Sequence, residues 1–191
     1  MNLTRKAHQT IDAHYAGKKI VVAIDATCGN GNDSLFLASR VQQLFCIDIQ
    51  AAAIRNTHEQ LQSMVLDTID TKVTYIQDSH CNLQKHCNQY KGEIDVVMFN
   101  LGFLPKSDDL TITTKTSSTI SAIQQAMQCL AKTGLISILC YRGHPGGAEE
   151  YQAILELFKL IDQRNWHWQK FDSSNASEST PVLLILTRKL A

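Results

Sequence analysis

The chain lacks any long apolar run. Its longest are Ile20–Ile24, Val96–Phe99, Leu135–Cys140 and Val182–Leu186. All fall far short of the ~20 residues that a membrane span needs, so no membrane partner is expected. It also lacks an excess of charge, because 18 Lys and Arg balance 18 Asp and Glu. That excludes a basic field over the whole surface and leaves nucleic acid only a local basic patch. Cys-x-x-Cys is absent: Cys28, Cys46, Cys81, Cys87, Cys129 and Cys140 stand apart. Lone cysteines in apolar or helical stretches act as small hydrophobes, so a reduced, cytoplasmic protein without disulfides is expected. The N-terminus, MNLTRKAH, carries no apolar signal-peptide core. No internal repeat or low-complexity block stands out.

What is present is globular. The 191 residues are 44% hydrophobic and 19% charged, which suits one domain over 1–191 that buries roughly 70% of its unfolded surface. Apolar strand-like runs alternate with helix-like segments. A short leading helix is predicted over about 3–16. Strands are predicted at Ile20–Asp25, Leu44–Asp48, Val73–Gln77, Asp95–Phe99 and Leu135–Tyr141. Helices are predicted at 32–40, Ala51–Leu66, Ser117–Leu130 and Gly147–Ile161, the third stopped by Lys132-Thr133-Gly134. Trp166–Phe171 and Pro181–Thr187 close the chain as strands, with the polar stretch Asp172–Thr180 read as a mobile loop.

Continuous apolar strands joined by helices make a parallel sheet covered on both faces. The last two strands have only a short polar link, too short for a parallel crossover, so they should pair antiparallel at one edge. The expected fold is therefore α/β: a Rossmann-like class I methyltransferase plan, with a seven-stranded, mostly parallel sheet, an antiparallel edge pair and helices on both faces. Fold alone does not give function.

The loop after the first strand reads DATCGNGNDS over 25–34. A dinucleotide site would want a third glycine where Ser34 stands. A pyrophosphate at this helix N-terminus would also face Asp25 and Asp33, which repel it. S-adenosylmethionine carries an ammonium, a sulfonium and a ribose instead, and suits such a mouth. Asp25, Thr27, Gly29, Asn30, Gly31, Asn32 and Asp33 are thus its candidate contacts. Asp48 ends the second strand where an acid can bind ribose hydroxyls, with Ile49 and Gln50 beside it. Asp78, Ser79 and His80 end the third and can reach the adenine edge. The pairs His80-Cys81 and His86-Cys87 fit no common zinc spacing, so no metal is expected.

The fourth strand ends MFNLGFLP over 98–105. Asn-x-x-aromatic at this point resembles the motif of amino methyltransferases. There the Asn side chain accepts hydrogen bonds from the target amine and the ring packs on the target base. Asn100 would orient the nitrogen lone pair, while also bordering the cofactor, and Phe103 would stack at about 1–3 kcal/mol per base.

Four stretches together resemble one family: DATCGNGND at 25–33, DIQ at 48–50, MFNLGFLP at 98–105 and YRGHPGGAEE at 141–150, with TITTKT at 111–116 in addition. They are similar to small bacterial tRNA 5-aminomethyl-2-thiouridine methyltransferases of the MnmM type, once described as rRNA methylases. Arg142 departs from the proline common there, and adds a cation. The resemblance implies methylation of the primary amine on the tRNA wobble uridine, giving 5-methylaminomethyl-2-thiouridine. Tyr141 or His144 would then take a proton directly or through water, or Tyr141 would wall the flipped base. The implied partner is the tRNA anticodon stem-loop, held by Phe103, Lys106, Lys115 and Arg142, with Arg5 and Lys6 as further cations. Zero net charge predicts modest affinity and a shallow salt slope. Three other readings stay open: a methyltransferase for rRNA, adenine or a small-molecule amine; a nicotinamide oxidoreductase, opposed by Asp25, Asp33 and the missing glycine; and a non-catalytic module. A monomer and a homodimer are equally open.

Overall fold

A computed structural model describes residues 2–65, 71–102, 104, 113–173 and 177–189. Its strands are β1 (Val22–Asp25), β2 (Gln43–Asp48), β3 (Lys72–Gln77), β4 (Ile94–Leu101), β5 (Leu130–Cys140), β6 (Trp166–Asp172) and β7 (Val182–Arg188). They form one sheet in the order β3-β2-β1-β4-β5-β7-β6. The first five strands run parallel, and β7 lies antiparallel to both β5 and β6. This is the class I methyltransferase architecture, with its antiparallel pair at one edge. Central strands are buried along nearly their whole length, as in β1 and β7, which is why they read as unbroken apolar runs.

The helices are α1 (Leu3–His14), α2 (Asn32–Ala38), α3 (Ala51–Val65), α4 (Leu83–Cys87), α5 (Thr116–Cys129) and α6 (Gly147–Leu160). Alternate strand residues feed two cores. Ile24, Phe45, Val97, Phe99 and Ile138 pack with Leu83, Ile123, Ile154 and Phe158 from α4, α5 and α6. Ala23, Leu44, Met98, Leu139 and Ile185 pack with Ile11, Leu37 and Leu61 from α1, α2 and α3. Among the described residues no helix is long and apolar enough to cross a membrane.

One reading changes. The stretch Lys132–Gly134, expected as a helix stop, lies inside β5, because α5 ends at Cys129 and the strand starts at Leu130. Its pairing to β4 shifts register between Ile94 and Val96. Gly134 is needed there for close packing, since a Cβ would run into the Leu130 side chain and stand 3.0 Å from the Ile94 carbonyl. The polar stretch after β6 is anchored at its far end. Arg142 donates from Nε to Thr180 O at 2.8 Å and from a terminal nitrogen to Ser177 O at 2.6 Å.

The strand order fixes where a ligand can sit. The chain leaves β1 toward β2 on one side, whereas β4 lies on the other. The loops after these two neighbours part at the carboxyl edge and open a crevice there.

Candidate active site

A cleft of about 500 Å³ fills that crevice, lined by the loops after β1, β2, β3, β4 and β5. Gly31 shapes its first wall. Its φ of +83° lies in the left-handed region, and a Cβ would meet Thr57 Cα of α3 at 3.0 Å. Only glycine meets both demands at little cost. Gly31 therefore lets α2 begin close against α3 and does not itself line the cleft.

Asp48 ties this loop to the second strand. Its carboxylate accepts the Gly29 N–H at 3.0 Å and the Gln50 N–H at 2.9 Å. Burial raises its pKa, and those backbone donors oppose the rise. Further lone pairs on the same oxygens remain to accept ribose hydroxyls. Ile49, 60% exposed, offers an apolar face beside it. Thr27, Gly29, Asn30, Asn32, Gln50, Ser79 and His80 also line the cleft. Asn30 accepts from Asn56 at 2.9 Å, which braces the loop against α3.

The two acids of the first loop part company. Asp33 lines the cleft. Asp25 is 1% exposed and lies beneath it, accepting from Ser34 Oγ at 2.6 Å. Burial, then repulsion from Asp33, holds its carboxyl well above the usual carboxylate range. A carboxyl raised in the fold keeps a proton that the unfolded chain releases, so the contribution of Asp25 to stability is fully present below about pH 4 and is lost as pH rises through the folded value. Asp25→Asn keeps the shape and removes this titration. Its melting temperature relative to the parent chain is therefore expected to climb from pH 5 to pH 8; a constant difference would mean that Asp25 is charged throughout.

After β3, Asp78 faces its own helix start instead of the cleft. It accepts from Ser79 N at 2.7 Å, Asn82 at 2.9 Å and His86 Nε2 at 2.7 Å. The His86 contact, with the other two, pulls its pKa down to about 2. His80 lies apart from His86, 3.4 Å from Thr119, with burial lowering its pKa to about 4. Among the described residues no group of three His, Cys, Asp or Glu side chains could hold a metal, and the six cysteines are free thiols.

Asn100 sits at the end of β4, opposite Leu139 of β5. Its backbone N–H donates to Thr27 Oγ1 at 2.7 Å, and its Nδ2 donates to Asp33 Oδ2 at 3.4 Å. With the amide nitrogen turned to Asp33, the oxygen is the acceptor offered to the cleft. Two segments beside it, one of them within TITTKT, make contacts that no sequence motif announces. One is Thr113–Lys115: Thr114 accepts from Gly102 N at 3.1 Å and donates to the buried Glu150 at 2.8 Å. The other is α1, whose His8 reaches Asp33 at 2.6 Å and whose Thr4 lies beside the Tyr141 hydroxyl. Neither contact has a local sequence signal, since each joins residues far apart in the chain.

The remaining site candidates are scattered. Tyr141 and Lys115 line the cleft. His144 packs its ring near Gly102 and Gly147, with Nδ1 on Pro145 O at 3.0 Å. Arg142 spends its guanidinium on residues 177–180 and over the Tyr151 ring at 5.1 Å. Phe103 and Lys106 lie outside the described residues.

Comparisons with known proteins agree with this geometry. A family model described as "Putative rRNA methylase" matches residues 44–187. The Arabidopsis thaliana protein "tRNA (mnm(5)s(2)U34)-methyltransferase, chloroplastic" is 30% identical over 93% of this chain and 68% of its own length. A "putative rRNA-methylase" structure from Clostridium thermocellum superposes with a TM-score of 0.87 at 37% identity, over 98% of both chains. A "putative methyltransferase" from Streptococcus mutans, in complex with S-adenosylhomocysteine, gives 0.83 at 28% identity over 97% of both. S-adenosylmethionine is thus the cofactor, and the glycine turn, the Asp48 carboxylate and the exposed Ile49 suit its ribose and base. Fold, cleft and relatives converge: the chain is an S-adenosylmethionine-dependent methyltransferase and belongs to the family described as "Putative rRNA methylase".

Proposed function

We propose that the chain methylates the primary amine of 5-aminomethyl-2-thiouridine at the tRNA wobble position, giving 5-methylaminomethyl-2-thiouridine. The observation that carries this reading is the Asn100 amide. Its nitrogen is committed to Asp33 at 3.4 Å, so its oxygen is free to accept an N–H from an amine at the end of β4. A primary amine needs such an acceptor to aim its lone pair. The chloroplast relative's name places the same modification on its own substrate.

Bound S-adenosylmethionine supplies the electrophilic methyl on its sulfonium. The chain's own residues hold and aim. Asp48 and the Gly29 turn anchor the ribose end. Asn100 accepts an N–H of the neutral amine, and the lone pair faces the methyl. With the cofactor bound, the C–S bond would break as the new C–N bond forms, and the resulting secondary ammonium would give its proton to water. Burial, then the nearby Asp33, raises the Tyr141 phenol, so at neutral pH it acts as an uncharged wall or hydrogen-bonding group. An anticodon nucleotide is single-stranded and can be splayed into such a cleft. Lys115 at the mouth offers a phosphate contact.

The test is nucleoside mass spectrometry on tRNA from cells lacking the gene, paired with methyl transfer by purified protein in vitro. The expected result is accumulation of the aminomethyl nucleoside in vivo and its methylation in vitro. Unchanged tRNA nucleosides, together with transfer to rRNA alone, would overturn the reading.

A further inference from the structure

The leading helix α1 is built into the site. Leu3, Ala7 and Ile11 bury one face of it in the core shared with Leu139, Leu183 and Ile185. Its C-terminal end reaches the opposite edge of the sheet, where His14 Nε2 and the Tyr15 hydroxyl meet Thr133 O at 2.8 Å and 3.2 Å. Its N-terminal half therefore lies at the carboxyl edge, where the cleft opens. Thr4 and His8, one turn apart, share the face adjoining the buried one. Thr4 meets Tyr141 after β5, and His8 meets Asp33 after β1.

His8 is held in place twice. Its ring lies flat on Phe36, with centroids 3.8 Å apart and planes 3° apart. Phe36 is itself covered by the Arg40 guanidinium at 3.9 Å, and Arg40 is paired to Asp12 at 2.7 Å. From that fixed ring Nε2 meets Asp33 Oδ1 at 2.6 Å, and the other Asp33 oxygen accepts from Asn100 Nδ2 at 3.4 Å. Both Asp33 oxygens are thereby engaged, one by His8 and one by Asn100. The carboxylate can turn away from Asn100 only by breaking the shorter bond to His8.

We propose that His8 is a positioning residue: through Asp33 it fixes which way the Asn100 amide points, and so keeps an acceptor oxygen toward the methyl-accepting amine. This rests on the Asn100 reading given above. The groups facing the relay are Asp25 beneath Asp33, Tyr141 across the cleft and Asp48 on the cofactor side. None of them replaces the Nε2 donor.

Two substitutions separate the donor from the packing. His8→Phe keeps a ring on Phe36 and removes the donor. His8→Gln removes the ring and keeps a donor at similar reach. With the full chain and tRNA carrying the aminomethyl nucleoside, His8→Phe is expected to lower kcat by about 10-fold or more, with KM for either substrate within about twofold. His8→Gln should recover most of that loss. In an Asn100→Ala background, His8→Phe should add nothing further, because the pair acts as one unit. A substrate-free readout runs beside these: the Asn100 side-chain amide 1H–15N signals should move in His8→Phe and stay near the parent positions in His8→Gln. A parent chain inert toward this tRNA would refute the substrate reading alone, and the amide signals would still decide the role of His8. Unmoved Asn100 signals in His8→Phe, equal losses in both variants, or a loss that multiplies with Asn100→Ala would each overturn the proposal.

Discussion

Asn100→Ala is expected to lower turnover on tRNA by about two orders of magnitude or more while leaving S-adenosylhomocysteine affinity within a few-fold. Two decades correspond to about 2.7 kcal/mol of barrier, a reasonable size for orientation when chemistry needs little else. The cofactor side keeps its own anchors, because Asp48 and Gly29 hold each other at 3.0 Å without help from Asn100. The amine side does not. Removing the amide takes away the acceptor and leaves the Asp33 carboxylate held by His8 at 2.6 Å, which favours an ammonium over a neutral amine. Asn100→Asp should fail as well, since a second carboxylate beside Asp33 would hold the amine protonated. Single-turnover rates at saturating tRNA, with calorimetry for the cofactor product, check both arms. Turnover near that of the parent chain would remove Asn100 from the reaction.

The fold was largely legible because a sheet covered on both faces writes its strands as apolar runs. The edge strand β6 was legible for another reason: Trp166, Trp168 and Phe171 stand among polar neighbours, and the short link to β7 dictated antiparallel pairing. Gly134 was misread because a glycine that stops a helix and one that admits a neighbouring side chain look alike in sequence. What separates them is Leu130 and Ile94 O pressing on its Cα.

The site was legible in outline, because acids and glycines at strand ends signal a ligand edge. It was not legible in its division of labour. Asp25 and Asp33 look equivalent in DATCGNGND, but strand pairing puts Asp25 under the cleft on Ser34 and leaves Asp33 at its surface. Asp78 is drawn off by Asn82 and His86, and Arg142 by the carbonyls of Ser177 and Thr180. His8 could not have been found from pattern alone. It is one polar residue on an amphipathic helix, and its role comes from a partner 25 positions away.

Gly147→Ala should be damaging, although alanine within a helix is ordinarily an improvement on glycine by about 1 kcal/mol. The added Cβ would run into the Tyr141 carbonyl oxygen and stand 2.9 Å from His144 Nε2. That carbonyl follows directly on β5, where Cys140 is paired with Val182, so it cannot retreat without loosening the strand end. Overpacking of this kind costs about 1–3 kcal/mol, or a melting temperature lower by about 2–12 °C for a chain of this size. The damage should not stop at stability. One turn into α6, Glu150 holds Thr114 at 2.8 Å and Thr119 at 2.6 Å, and Thr114 receives the Gly102 N–H at 3.1 Å. A displaced start of α6 thus drags the cleft wall beside Asn100, and turnover should fall further than cofactor affinity. Gly146→Ala is the control. Its φ of +84° imposes a local penalty, but nothing lies within 4 Å of the added carbon, so its melting point should drop while turnover per folded molecule holds. Thermal melts and kcat for both variants separate the two costs. A Gly147→Ala chain as stable and as active as its parent would mean that the Tyr141 carbonyl and the His144 ring do not close over this glycine.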